Sequence, residues 1–149
     1  MDSCLSVAQV RKRVAQALTE SGLEQSRQVP DLFGLDPSQF AHQAFAVVVP
    51  SSIIEDFDGR DNYGDEGEAR TVLEVRVSHH IRGDDPQGDY DAALDFEQRV
   101  MSTVLCDTDR SKSLKLAILS VPERTVSPEA DYFLSRIRFQ ATHRYRFVV

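Results

Sequence analysis

The sequence predicts an α+β fold: an antiparallel or mixed sheet of about four strands with two main helices packed on one face, in the order α-β-β-α-β-β. Three observations predict it. Two segments, one near the N-terminus and one after Asp89, repeat apolar residues at three- and four-residue spacing, the period of a helix with one buried face. Segments such as "TVLEVRVSHHIR" and "RIRFQATHRYRFVV" alternate apolar and polar residues, the period of a strand with two unlike faces. Two strand patterns follow each helical one, which favours hairpins joined by a helix over parallel crossovers. At 149 residues, with 41% hydrophobic and 28% charged residues, the chain is expected to form one domain, residues 1–149, around a genuine core.

"LSVAQVRKRVAQALTESGL" opens with helix-start chemistry. Ser6 can cap, Gln9 stands three residues on to close a capping box, and Leu5 can staple against Val10. Val7, Val10, Val14, Ala17 and Leu18 form one stripe, and Gly22 supplies a left-handed stop with Leu23 placed to pack back on Leu18. The expected helix is Val7 to Ser21. "DLFGLDPSQF" is a loop, broken by Gly34 and Pro37. "AFAVVVP" is a short β-branched strand closed by Pro50. About twenty residues without a period follow, over 51–70, and a loop of that length is either functional or a solvated hairpin tip. "TVLEVRVSHHIR" is a strand with Leu73, Val75, Val77, His79 and Ile81 on one face. Asp89 is placed to cap a helix over "YDAALDFEQRVMSTVLC", with Tyr90, Ala93, Leu94, Met101, Val104 and Leu105 as its stripe. "SLKLAILSVPE" is a strand ended by Pro122, and "DYFLSRIRFQATHRYRFVV" is the last and longest.

Bulk properties exclude several classes. The formal charge of -7 and pI near 5.0 argue against broad sequence-independent nucleic-acid binding, which needs net basic surface. No run of about 18 apolar residues occurs, so no membrane-spanning helix is expected. The N-terminus lacks a basic leader followed by an apolar run, and no secretory signal is expected. Cys4 and Cys106 lie outside any CxxC or Cys/His cluster, which points to a reducing compartment rather than a disulfide framework or structural zinc.

Catalytic signals are weak. His79 and His80 are neighbours in a strand and point to opposite faces, so they cannot share one metal. His79 and His143 share the apolar parity of their strands and can approach across the sheet, but a two-histidine site still needs a further ligand. Asp84, Asp85, Asp89 and Asp91 lack the ligand spacing of a calcium loop and fit turn and cap chemistry. No nucleophile elbow, zinc-protease, phosphate-loop or dinucleotide motif is present. The expectation is a protein that is not an enzyme, with no cofactor and no metal. The rival from another class is a small metal-dependent hydrolase using His79, His143 and the aspartates near Asp89.

Two features remain. Glu55, Asp56, Asp58, Asp61, Asp65, Glu66 and Glu68 crowd one stretch beside Arg60 alone, and Arg136, Arg138, Arg144 and Arg146 share one face of the last strand. Arginine suits bidentate pairing with carboxylates. In an acidic protein the nearest abundant anion is another copy of itself, and complementary patches at different places on one molecule make head-to-tail contacts that close into rings. The stripe is expected to be a subunit or partner interface.

The element order, with the stretches "AFAVVVP", "RTVLEVRVSHHIR", "DYDAALDFEQRVMSTVLC" and the closing strand, resembles the tail terminator proteins of long-tailed bacteriophages, the lambda-like ones included. Related head–tail joining proteins of the neck share the layout, so a neck stopper or connector adaptor is the alternative within the structural class. The resemblance implies a virion protein of the tail or neck, assembled in the host cytoplasm into a ring of six subunits. Such a ring caps the completed tail tube and offers its other face to the head-completion or stopper protein. It also implies that the 51–70 loop faces the tube or the neck. An acidic lining suits a channel through which DNA slides without specific binding, because like charges repel.

Overall fold

The computed structural model describes residues 4–25, 42–56, 66–81, 84–108, 114–120, 122–126 and 132–146. The elements are α1 (Val7–Glu20), β1 (Glu24–Gln25), β2 (Ala44–Asp56), β3 (Glu66–His80), α2 (Pro86–Thr108), β4 (Leu114–Ile118), β5 (Glu123–Val126) and β6 (Tyr132–Arg146). The fold is α+β.

α1 begins as its sequence dictates. The Gln9 backbone N–H donates to Ser6 Oγ at 3.1 Å, and the Ser6 N–H donates to Gln9 Oε1 at 2.8 Å, closing the capping box. Leu5 and Val10, the staple pair, lie in one buried cluster. At the other end Gly22 takes φ 99°, a conformation glycine adopts without strain. Leu23 N–H then reaches Leu18 O at 3.2 Å and Gly22 N–H reaches Thr19 O at 3.0 Å, the paired bonds of a Schellman stop. Ser21 is the cap rather than a helical residue, and Val7 is half-buried while Ala15 joins the buried face.

α2 starts earlier than expected. Pro86 occupies the first helical position, where its missing N–H costs nothing, and the Asp85 carboxylate accepts the Gly88 N–H at 3.0 Å. Asp89 sits in the first turn instead of at the cap. The buried residues are Ala93, Phe96, Glu97, Val100 and Val104, so the buried face is rotated from the expected stripe, and Tyr90 is exposed.

The sheet order is β1-β2-β3-β6-β4, with β5 also on β6. All pairings are antiparallel except β1 with β2, which is parallel over two residues. The expected strand count of about four becomes six among the described residues. β1 is too short to carry a period. β4 lies within the one strand expected before Pro122, and β5 lies beyond it: Leu119 N–H still reaches Arg138 O at 2.9 Å, and pairing on β6 resumes after Pro122 with Glu123 opposite Arg136.

The expectation of a long loop over 51–70 is also corrected. Ser51 to Asp56 continue β2 and Glu66 to Arg70 open β3, in register from Ser51 opposite Val72 to Asp56 opposite Gly67. Pro50 does not stop the strand because it lies at a register shift between Val48 and Ser51. Among the described residues β1 covers only the first two residues of β2, so this stretch is an edge where a missing N–H leaves no gap in a ladder.

Both helices cover one face of the sheet. Val10, Val14 and Leu18 of α1 and Phe96, Val100 and Val104 of α2 pack with Phe45, Val47, Leu73, Val75, Val77, Ile137, Phe139 and Ala141 in one cluster. Among the described residues no helix is long and apolar enough to cross a membrane.

Val14 is fully buried in this layer. Val14→Asp is expected to strand an unpaired charge there and cost on the order of 3–5 kcal/mol. Urea unfolding followed by circular dichroism measures it, and a midpoint equal to wild type would contradict the packing.

Candidate functional site

Alternation puts the charged residues of β3 and β6 together on the sheet face away from the helices. Continuous register sets Glu74 opposite Arg138, Glu68 opposite Arg144 and Glu66 opposite Arg146. Arg144 Nη2 lies 2.7 Å from Glu66 Oε2, and Arg146 Nη2 lies 3.1 Å from Glu66 Oε1. Arg76 Nε donates to Glu74 Oε2 at 2.6 Å, and Arg138 Nε donates to Glu74 Oε1 at 3.1 Å. The Arg146 hydrogen bond, above all, holds the Glu66 carboxyl below its usual range. Burial works against the Glu74 carboxylate, yet the bonds from Arg76 and Arg138 outweigh it and its pKa is lowered as well.

Within the subunit, Arg138, Arg144 and Arg146 of the stripe pair with carboxylates of the same chain. Arg136 stands opposite Arg76 and is half-buried. Of the acidic residues, Glu66 is a partner within the ladder and Glu68 lies 3.9 Å from Arg70. Glu55 and Asp56 are the last positions of β2. Asp58, Asp61 and Asp65 lie outside the described residues.

The histidines do not form the pair that the rival hydrolase reading requires. His79 is opposite Phe133 and His143 is opposite Ala69, so ten residues of β6, roughly 33 Å of strand, separate them. His143 is buried between Thr71 Oγ1, 2.9 Å from Nε2, and Leu5 O, 3.0 Å from Nδ1. Nδ1–H donates to the carbonyl, and in the neutral ring that burial favours, Nε2 accepts from the threonine hydroxyl. His79 donates from Nδ1 to His80 O at 2.9 Å, and its ring meets that of His42 at 4.3 Å between centroids. Burial pushes the pKa of both His79 and His143 down. The hydrolase site built on His79 and His143 is excluded by this separation. Among the described residues no three His, Cys, Asp or Glu side chains gather to hold a metal ion.

One polar site escaped the sequence reading. Glu97 of α2 is buried and takes a bidentate bond from Arg124 of β5, with Nη2 at 2.6 Å and Nε at 3.0 and 3.1 Å; the Ser135 hydroxyl also donates to it. The signal was present: Glu97 stands on the buried stripe Ala93, Val100, Val104 at helical spacing, and an acid there requires a partner. Beside it, a cavity of about 320 Å³ opens between the start of α2 and the end of β5, lined by Ile81, Pro86, Gln87, Tyr90, Asp91 and Val126.

The edges of the sheet carry exposed apolar side chains. Ile53 and Ile54 project from the far part of β2, and Ile118 and Leu119 from the end of β4. No protein-family model matches the chain, and no curated protein matches it.

Glu74→Gln is expected to remove the charge that Arg76 and Arg138 share and to destabilise the fold by about 2 kcal/mol, the scale of charged hydrogen bonds; an unchanged urea midpoint would count against the ladder. A second expectation concerns pH. The unfolded histidine binds a proton near pH 6.5, whereas buried His143 resists it, so stability is fully present above that pH and declines as pH falls below it. His143→Asn should therefore flatten the loss of stability between about pH 7 and 5, measured by urea midpoints across that range; an unaltered slope would show that His143 does not carry it.

Proposed function

We propose that this chain is a structural virion protein of the tail terminator class. Its copies join head to tail in a six-membered ring that caps the completed tail tube, and the ring's other face meets the head-completion protein. The observation that carries this reading is the β2–β3 hairpin, whose far part displays Ile53, 59% exposed, and Ile54 on opposite faces of the sheet. Exposed apolar residues at the end of a long hairpin suit contact with another protein more than contact with water. The conspicuous charged residues, by contrast, are engaged in holding the subunit together.

The order of the remaining elements supports the same reading: a capped first helix, a second helix after β3 and a long closing strand. The hairpin is the element positioned to face tube or neck. The acidic run of the sequence between β2 and β3 suits a lumen that DNA passes without sticking, since like charges repel.

Sedimentation velocity and native mass spectrometry of the purified chain, alone and with isolated tail tubes, test the proposal. Closed rings of six bound at one tip of each tube are expected. A monomer at every concentration that ignores the tubes overturns it, and rings that bind the head-side connector but not tube tips assign the chain to the neck instead.

A further inference from the structure

We propose that copies of this chain join edge to edge, the outer edge of β2 in one copy pairing antiparallel with the outer edge of β4 in the next, so that one sheet continues through the assembly. The proposal rests on the ring reading and names the surface that closes it.

Direction comes first. Among the described residues no strand pairs β2 beyond Phe45 on its outer side, and none pairs the outer side of β4. Such edges present unsatisfied backbone donors and acceptors to a further strand. β2, β3, β6 and β4 alternate in direction, and four is an even number, so the two edge strands run oppositely. A second copy laid alongside in the same orientation therefore brings its β4 antiparallel to β2, with both helical layers on the same side. Two β2 edges can meet only through a two-fold turn, which ends at a dimer.

Side chains agree with this direction. Ile53, opposite Arg70, and Leu119, bonded opposite Arg138, lie on the face away from the helices; Ile54, opposite Ala69, and Ile118, opposite Phe139, lie on the helical face. An antiparallel register that sets Ile53 beside Leu119 necessarily sets Ile54 beside Ile118. It covers four side chains that are 38–59% exposed in the subunit. It displaces the neighbour by about four residues, roughly 13 Å along the strands, the kind of stagger that tilts strands in a sheet closed on itself. Elsewhere the edges are blunted, by Pro50 at the bulge of β2 and Pro122 between β4 and β5.

The test uses Ile53→Lys and Ile118→Lys in the full chain, with circular dichroism and urea midpoints as fold controls. Each variant alone is expected to sediment as a monomer. An equimolar mixture should give dimers and no rings, because only one intact β2 edge and one intact β4 edge remain to meet. Rings from both variants overturn the edge proposal and leave the ring reading standing. Normal assembly of Ile118→Lys alone points to a β2–β2 contact and overturns it too, whereas a monomeric wild type with tubes present overturns both. If a lysine variant fails to fold, Ile53→Cys with Leu119→Cys, in a Cys4→Ser and Cys106→Ser background, replaces it. β2 and β4 are roughly 14 Å apart within one copy at ordinary strand spacing, beyond disulfide reach, so oxidation should produce a ladder of covalent oligomers. A ladder supports the joint; monomer only, or dimers from Ile53→Cys alone, overturns it.

Discussion

The unbroken pairing of β3 with β6 is the constraint on which the rest depends. Fifteen residues run in register from Glu66 opposite Arg146 to His80 opposite Tyr132. Because alternate side chains take opposite faces, a slip of β6 by one residue would expose Phe139 and Ile137 and drive Arg138 into the helical layer. Apolar pairs such as Leu73 with Phe139 and charged pairs such as Glu74 with Arg138 select the same register from the two faces. The charge ladder thus specifies the pairing as well as stabilising it, since an alternative register would bury charge without partners.

That double specification explains which parts of the fold could be read in the sequence. Parity along β3 and β6, and the capping box and glycine stop of α1, are local patterns with one solution, and all are present in the structure. What was illegible had a non-local cause. Pro50 looks like a strand end because proline removes a ladder donor, and only the sheet order reveals that it lies on an edge which no other described strand pairs. "SSII" does not alternate because both faces of that part of β2 meet solvent, where no pattern is enforced. The arginine stripe was legible as a stripe; its carboxylate partners were not, because they lie 64 to 80 residues away in the chain.

Polar groups inside the helical layer tie distant segments to this core. His143 grips Leu5 O, and Leu5 N–H returns to Arg144 O at 2.8 Å, so the start of α1 is fixed to the last strand beyond the point where β4 ends. Glu97 fixes β5 in a similar way: the four exposed residues of that strand bury no apolar face of their own, and Arg124 anchors them to α2. Both devices concern the side of β6 away from β3, where β4, β5 and the N-terminal segment share one long strand between them. Three short pieces need extra anchors because each alone gains few ladder bonds.

These anchors decide which surfaces stay available. Where β5 and the N-terminal segment lie, side-chain bonds commit the backbone of β6 to partners within the subunit. The charged face is committed as well, through Glu66 and Glu74. Apolar side chains at Ile53, Ile54, Ile118 and Leu119 receive no such cover. Exposed carboxylate–arginine pairs gain little from association, because a rearranged pair must lose one good partner to win another. Burial of apolar side chains along an open strand edge meets no such opposition, and it adds backbone hydrogen bonds in the same step. On the proposed reading, charge therefore sets the shape of the subunit, and the apolar edges set how subunits meet.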